Sequence, residues 1–218
     1  MASRCRSLWT RLLAGFSRHI GCHRCGCLAI WRSTEPKHLA RALDAHRADC
    51  GCERWSLRGL FRRRVFDQEL IIRVITSPDG YDTETKEILT RKLTALYSSG
   101  VSILRESSSE DEIRLTVSEL TSGGAEPQSL VGAVVLTASQ VRQLDPRQRG
   151  YCIYDTHAPR RRCHADMFGT FPVQGSNKER ERFKERRRYA LRDLMAAHLL
   201  EADTIEKLIA AVQAARNR

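Results

Sequence analysis

The chain has 218 residues and a formal net charge of +11 at pH 7. This charge is unevenly distributed: residues 1–64 contain fourteen Lys and Arg against four Asp and Glu, whereas residues 65–218 contain twenty-three against twenty-two. The sequence therefore excludes a uniformly basic protein, and it has no apolar run of about 18 residues from which a transmembrane helix could form.

The composition divides the chain into two parts. We predict a basic extension over residues 1–64 and a folded domain over residues 65–218, which is long enough for one buried core. Six of the eight cysteines and all three tryptophans lie in the extension. The longest apolar stretch near the N-terminus, residues 12–16, is too short for a secretory signal. We therefore expect reduced cysteines and a cytoplasmic protein.

The first interpretation of the extension is a small Cys-rich module. Cys22, Cys25 and Cys27 stand close together, and Cys50 and Cys52 follow as a second group. Two close thiolates fill half of a zinc tetrahedron, and a second pair completes it. The spacing departs from the two C-x2-C pairs that are usual in structural sites. The predicted zinc ligands are Cys22, Cys25, Cys50 and Cys52.

Two other interpretations of the extension stay open. Leu8, Leu12 and Phe16 fall on one helical face among arginines, which is typical of transit peptides and membrane-surface helices. Alternatively, the extension is disordered, or it is translated from an upstream frame and the true start lies near Val65 or Leu70. Against this third interpretation, the sequence predicts a short helix that begins at residues 34–36 and carries apolar residues at helical spacing.

The first half of the domain predicts two strands and two helices. Residues 70–76 are a β-branched run that favours a buried strand. A Pro-Asp-Gly turn follows, and the apolar period then predicts a helix over residues 82–100. Residues 101–104 predict a second strand. Ser109 and Glu112 predict a capping box at the start of the next helix.

The second half predicts the remaining strands and a helical C-terminal tail. Residues 130–136 are apolar on both faces, as expected for a strand covered by helices on both sides. A short helix over residues 138–144 and a strand over residues 151–155 come next. A fifth strand, residues 163–168, is predicted to pair with residues 151–155 as a hairpin. The C-terminal helices, over residues 177–216, begin at the capping box of Ser176 and Glu179 and at Asp203.

This order of elements predicts an α/β fold. Strands that alternate with helices are typical of a small three-layer domain with a mainly parallel sheet and right-handed crossovers. We therefore expect a mainly parallel sheet of four or five strands with helices on both faces.

One group of side chains could carry acid–base chemistry. Ligands of a parallel sheet bind beyond the carboxyl ends of its strands, where Asp155, His157 and Asp79 are expected to meet. His164 and Asp166 share one face of an extended segment, because the period of a strand is two. A carboxylate beside an imidazole orients it for proton transfer or for binding a cation. The more ordinary interpretation of this pair is a satisfied polar contact at a strand edge.

A second group of side chains is basic. A basic loop and a basic helix can neutralise phosphates, so nucleic acid or another anionic ligand is the predicted partner. Three interspersed glutamates also suit intrahelical ion pairs on a solvated face. The predicted anion-binding residues are Arg160, Arg161, Arg162, Lys178, Arg186, Arg187 and Arg188.

The sequence therefore supports two functions of different class. The first is a non-enzymatic binding or accessory protein that contacts an anionic partner through the basic loop and helix. The second is a small hydrolase or phosphate-handling enzyme that uses the His/Asp group. Motifs of serine hydrolases, P-loop proteins and zinc proteases are absent from the sequence, so neither function follows from a known motif.

Overall fold

The computed structural model of this protein describes residues 30, 33–45, 65–123, 126–145, 150–156, 163–171 and 175–217. Several predicted features lie outside the described residues. These are the amphipathic segment at residues 8–20, the zinc ligands Cys22, Cys25, Cys50 and Cys52, the side chain of His157, and the loop residues Arg160, Arg161 and Arg162.

The described residues form a six-stranded sheet, a small hairpin and helices. The strands are β1 (Leu70–Ser77), β2 (Tyr81–Asp82), β3 (Glu87–Ile88), β4 (Val101–Arg105), β5 (Ser129–Thr137), β6 (Tyr151–Asp155), β7 (His164–Gly169) and β8 (Leu199–Glu201). The α-helices are α1 (Pro36–Ala45), α2 (Glu110–Ser122), α3 (Ala138–Arg142), α4 (Asn177–Ala196) and α5 (Ile205–Arg216), and a 3₁₀ helix spans Thr90–Tyr97. None of the described helices is long and apolar enough to cross a membrane.

The sheet is antiparallel, so the predicted mainly parallel sheet is wrong and the fold is α+β. The strand order is β6-β7-β4-β1-β5-β8, and every neighbouring pair is antiparallel. The helix predicted over residues 82–100 is instead the β2–β3 hairpin followed by the 3₁₀ helix. No crossover helix therefore joins β1 to β4, and α2 carries the chain past β1 to β5 on its far side.

One side of the sheet, here called the α4 face, holds the larger core cluster. Ile71, Ile103 and Ile153 of three strands pack there together with Leu191 and Met195 of α4. Residues of the 3₁₀ helix and of α3 complete this cluster. Burial of these aliphatic side chains, at about 25 cal/mol per Å² of apolar surface, is the main stabilising term of the fold.

The opposite side, here called the α2 face, is covered by α2 and α5. Ile72 and Leu104 of the sheet form a cluster with Ile113 of α2 and with Leu208 and Val212 of α5. Successive residues of β1 and β4 thus alternate between the two faces, as the strand period requires. Because both faces are covered by helices, β1 is apolar in both directions.

The predicted helix inside the extension is confirmed over Pro36–Ala45. Its Leu39 and Leu43 are buried against Cys152 and Phe168 at the β6–β7 end of the α2 face. The backbone N–H of Ala40 also donates to the carbonyl oxygen of Ser98 at 2.8 Å. This helix therefore packs on the sheet, while the boundary between residues 64 and 65 stays a prediction.

The C-terminal segment differs from its prediction in one place. The capping box of Ser176 and Glu179 is confirmed, but α4 ends at Ala196 and the chain then forms β8 on the edge of β5. Gly132 permits this approach, because a Cβ atom there would overlap the carbonyl oxygen of Leu200. The last helix is capped by Thr204 and not by Asp203.

Candidate functional site

The antiparallel sheet separates Asp79 from the other predicted catalytic residues. Three antiparallel pairings lie between β1 and β6, so the carboxyl ends of these strands point to opposite ends of the sheet. Asp79 follows β1, and its Oδ2 forms an ion pair with Lys92 Nζ at 2.5 Å. This hydrogen bond lowers the pKa of Asp79 below its usual value. Asp79 therefore lies at one end of the sheet while Asp155 and His164 lie at the other.

Asp155 and His164 are close in the hairpin but lie on opposite faces. Asp155 pairs with Ala165, the neighbour of His164, so its side chain lies on the α4 face. It is fully buried there, with Oδ2 3.2 Å from Arg105 Nη1. Glu69 accepts from Nε and Nη2 of the same guanidinium at 2.6 and 2.8 Å. These three charges form a buried ionic cluster that joins β1, β4 and β6.

His164 and Asp166 share the α2 face, as the strand period predicted. The Thr156 hydroxyl lies between them, 2.7 Å from Asp166 Oδ2 and 3.0 Å from His164 Nδ1. The Thr156 hydroxyl has a single proton, and it donates this proton to Asp166 Oδ2. The Thr156 oxygen is then free to accept from His164 Nδ1 in the tautomer that carries its proton there. His164 and Asp166 are only 6% and 8% exposed.

The network continues across the sheet to β4 and β1. The Ser102 hydroxyl donates to Asp166 Oδ1 at 3.2 Å, and Arg73 Nη1 donates to the Ser102 carbonyl oxygen at 2.6 Å. Burial lowers the pKa of Arg73, and the negative charge of Asp166 opposes this shift. Ser102, Thr156 and Arg73 were not predicted as site residues. The signal for Arg73 and Ser102 was a polar residue that interrupts an apolar strand.

A groove on the α2 face opens where β1 and β4 diverge. Their pairing joins Ile72 to Leu104, and it does not continue at Arg73. The groove has a volume of about 260 Å³, and both Ser102 and His164 line it. A neighbouring cavity of about 200 Å³ extends towards Asp79, and Arg73 lines both. The polar network therefore forms one wall of a site that is large enough for a small ligand.

The predicted basic helix, α4, presents two different surfaces. Lys178, Arg182 and Arg186 are exposed, and no ion pair joins them to a carboxylate in the described part of the chain. Lys184 is half-buried and forms an ion pair with Glu181 at 2.7 Å. Arg188 is also half-buried. Three cations on the outer surface are thus accessible to a partner, and they are named the α4 cationic face below.

Arg187 lies on the inner surface of the same helix. Its Nη1 donates to the Gly150 carbonyl oxygen at 2.9 Å and to the Thr170 hydroxyl, and its Nη2 donates to Asp145 Oδ2 at 2.9 Å. The guanidinium carbon also lies 4.2 Å from the Phe183 ring centroid. Arg187 therefore has internal partners and joins α4 to the segments on either side of the β6–β7 hairpin.

The described residues contain no group of three or more His, Cys, Asp or Glu side chains that could hold a metal ion. In the His164 network, both oxygens of Asp166 accept hydrogen bonds from hydroxyl groups, Thr156 and Ser102. The arrangement is thus that of a proton-transfer or structural network, and the zinc prediction on Cys22, Cys25, Cys50 and Cys52 falls outside the described residues.

Comparisons of the chain with protein-family models, with curated proteins and with solved structures gave no match.

Proposed function

We propose that this protein is a non-enzymatic binding or accessory protein that contacts an anionic partner through the α4 cationic face. The observation that carries the proposal is the exposure of Lys178, Arg182 and Arg186 without carboxylate partners among the described residues. Surface cations that are not paired internally are the groups that neutralise phosphates and release counterions. The predicted anion-binding residues Arg160, Arg161 and Arg162 lie outside the described residues, so the proposal does not depend on them.

The spacing of the cations supports single-stranded nucleic acid as the partner. A four-residue step along an α-helix rises about 6 Å and turns about 40° beyond a full circle, so the three cations follow a shallow stripe. Tyr189 lies within the same stripe and is 43% exposed, with the Arg192 guanidinium 5.0 Å from its ring centroid. An exposed aromatic ring beside cations offers stacking to an unpaired base as well as charge to the backbone.

The stripe is also rigid at both ends. Ser176 and Glu179 cap the first turn, with the Ser176 N–H donating to Glu179 Oε2 at 2.7 Å. Directly after Arg186, the buried Arg187 fixes the helix to Gly150 and Asp145 on the chain segment before β6. A cationic surface that is already ordered loses less conformational entropy when it binds.

The test is binding of a fluorescein-labelled single-stranded RNA 20-mer, followed by fluorescence anisotropy. We expect Arg182→Ala/Arg186→Ala to weaken binding at least tenfold. The matched control, Arg91→Ala/Arg114→Ala, removes the same net charge from arginines that face Asp79 and Glu206. An equal loss in the control would mean that net charge alone attracts RNA. If the protein binds heparin as tightly as it binds RNA, nucleic acid is not its specific partner.

A second candidate, hydrolysis at His164, is supported by the Thr156 bridge to Asp166. A carboxylate that orients an imidazole through a hydroxyl keeps the proton on Nδ1 and leaves Nε2 as the base. The probes are p-nitrophenyl acetate and p-nitrophenyl phosphate. If the candidate is correct, the protein hydrolyses one of them, and His164→Gln and Thr156→Val reduce turnover while the melting temperature stays within a few degrees. A protein that hydrolyses neither probe is not this kind of enzyme.

A further inference from the structure

Arg73 differs from the other arginines that are buried among the described residues. Arg105, Arg142 and Arg187 each form an ion pair with a carboxylate, at Glu69, Asp67 and Asp145 respectively. Arg73 sits on a central strand, is partly buried, and has one hydrogen-bond partner in the described part of the chain, the Ser102 carbonyl oxygen. Its positive charge is therefore balanced only at longer range.

The carboxylate of Asp166, which acts electrostatically on Arg73, already has other hydrogen-bond partners. Its two oxygens accept hydrogen bonds from Ser102 and Thr156. Taking a guanidinium out of water costs free energy that a close anion offsets. The planar fork of Arg73 is suited to two parallel hydrogen bonds from a carboxylate.

The surroundings of Arg73 restrict the ligand further. Ile72 and Leu104 form an apolar floor of the 260 Å³ groove, and Leu120 of α2 forms part of its wall. Apolar pockets with a few polar groups are the usual form of small-molecule sites. Glu119 lines both cavities together with Arg73, so the charged side chains of the site sum to about zero, and a singly charged ligand with an apolar chain suits this lining better than a phosphate, which has no apolar part.

We propose that the groove between α2 and the sheet binds a small monocarboxylic acid, with its carboxylate on Arg73 and its apolar chain against Ile72, Leu104 and Leu120. This site is separate from the α4 cationic face and does not depend on nucleic-acid binding.

The test uses the full chain, isothermal titration calorimetry and the straight-chain acids butanoate, hexanoate and octanoate. We expect saturable binding that tightens with chain length, and we expect 1-hexanol to bind at least tenfold more weakly than hexanoate. Arg73→Met should lose the preference for hexanoate over hexanol. The matched control, Arg91→Met, removes an exposed arginine of the 3₁₀ helix and should bind as the wild type does.

A second variant, Leu120→Trp, tests the same groove without changing Arg73, so the proposal can be tested even if Arg73→Met does not fold. Leu120 is 37% exposed, so a larger side chain is tolerated at this position while it fills the groove. We expect this variant to melt as the wild type does and to lose hexanoate binding. The proposal is overturned if no acid binds, if either variant binds normally, or if inorganic phosphate binds as well as hexanoate. Normal hexanoate binding by Arg182→Ala/Arg186→Ala would show that the groove binds its ligand independently of the α4 cationic face.

Discussion

Arg186 and Arg187 are neighbours in sequence but lie on opposite surfaces of α4. Arg186 belongs to the exposed α4 cationic face, whereas Arg187 is buried and donates to Gly150, Thr170 and Asp145. The number of basic residues in α4 therefore does not show how many of them can bind a partner. The arginine with internal partners stabilises the fold, and the arginine without them is available to bind.

The largest expected difference is in stability. Arg187→Ala removes the buried guanidinium that forms an ion pair with Asp145 and donates to the Gly150 carbonyl and the Thr170 hydroxyl, which should lower the free energy of unfolding by about 3 kcal/mol. Arg186→Ala should change it by less than about 0.5 kcal/mol, because the side chain is exposed. Urea denaturation of both variants measures the difference. Equal losses in the two variants would show that the two surfaces of α4 are not distinct.

Two tyrosines near Arg187, the partly buried Tyr97 and the fully buried Tyr151, predict how stability depends on pH. Burial raises the pKa of Tyr97 to about 12, and it raises the pKa of Tyr151 as well. The Tyr151 hydroxyl donates to the Arg187 carbonyl oxygen at 2.7 Å, while the Tyr97 hydroxyl has no hydrogen-bond partner in the described part of the chain. The Tyr151 hydroxyl is therefore hydrogen-bonded in the folded protein, whereas the Tyr97 hydroxyl is buried without a hydrogen bond among the described residues.

The sign of the pH effect follows from these shifts. The folded state keeps the Tyr97 proton up to a pH of about 12, whereas the unfolded state loses it above pH 10. The stability that burial of neutral tyrosine provides is therefore present below pH 10 and falls as the pH rises towards 12. Tyr97→Phe should reduce this fall without loss of stability at pH 7. Guanidinium denaturation between pH 8 and 11.5 tests it, and an unchanged pH dependence in the variant would contradict it.

The capping box of α4 should have a smaller effect. Ser176→Ala removes the hydroxyl that accepts from the Glu179 N–H, so the free energy of unfolding should fall by about 1 kcal/mol. Hydrogen bonds from Ser176 to the Glu179 carboxylate lower the pKa of Glu179, so the part of the stabilisation that these bonds provide is lost as the pH falls through the folded-state pKa. Ser118→Ala, at an exposed position within α2, is the control. A control that loses as much stability would exclude a specific cap.

Local structure could be predicted from the sequence where the cause of the structure was local. The capping boxes at Ser109 and Ser176 depend on residues three positions apart, and both are present. The shared face of His164 and Asp166 followed from the strand period, which needs no knowledge of the neighbours. The burial of Arg187 also had a local signal, since Leu191 and Met195 continue its four-residue spacing and both are buried.

Pairing between distant segments could not be predicted in the same way. The β–α–β order does not specify which strands are neighbours, so it could not show that β4 and β5 lie on either side of β1. The register that pairs Asp155 with Ala165 places Asp155 on the face opposite to His164. Ser102 and Thr156 join the site only through contacts to Asp166 across strands, at separations of 64 and 10 residues.

The smallest expected effect on stability belongs to the variant with the largest expected effect on binding. The free energy of unfolding of Arg182→Ala/Arg186→Ala should differ from that of the wild type by less than about 0.5 kcal/mol for each substitution, because both side chains are exposed. The most direct test of the α4 cationic face is the slope of log affinity for single-stranded RNA against log salt concentration. Each lost phosphate contact should reduce the slope by about 0.7, so the double variant should differ from the wild type by about 1.4. Equal slopes for the two proteins would contradict the assignment of this face as the binding surface.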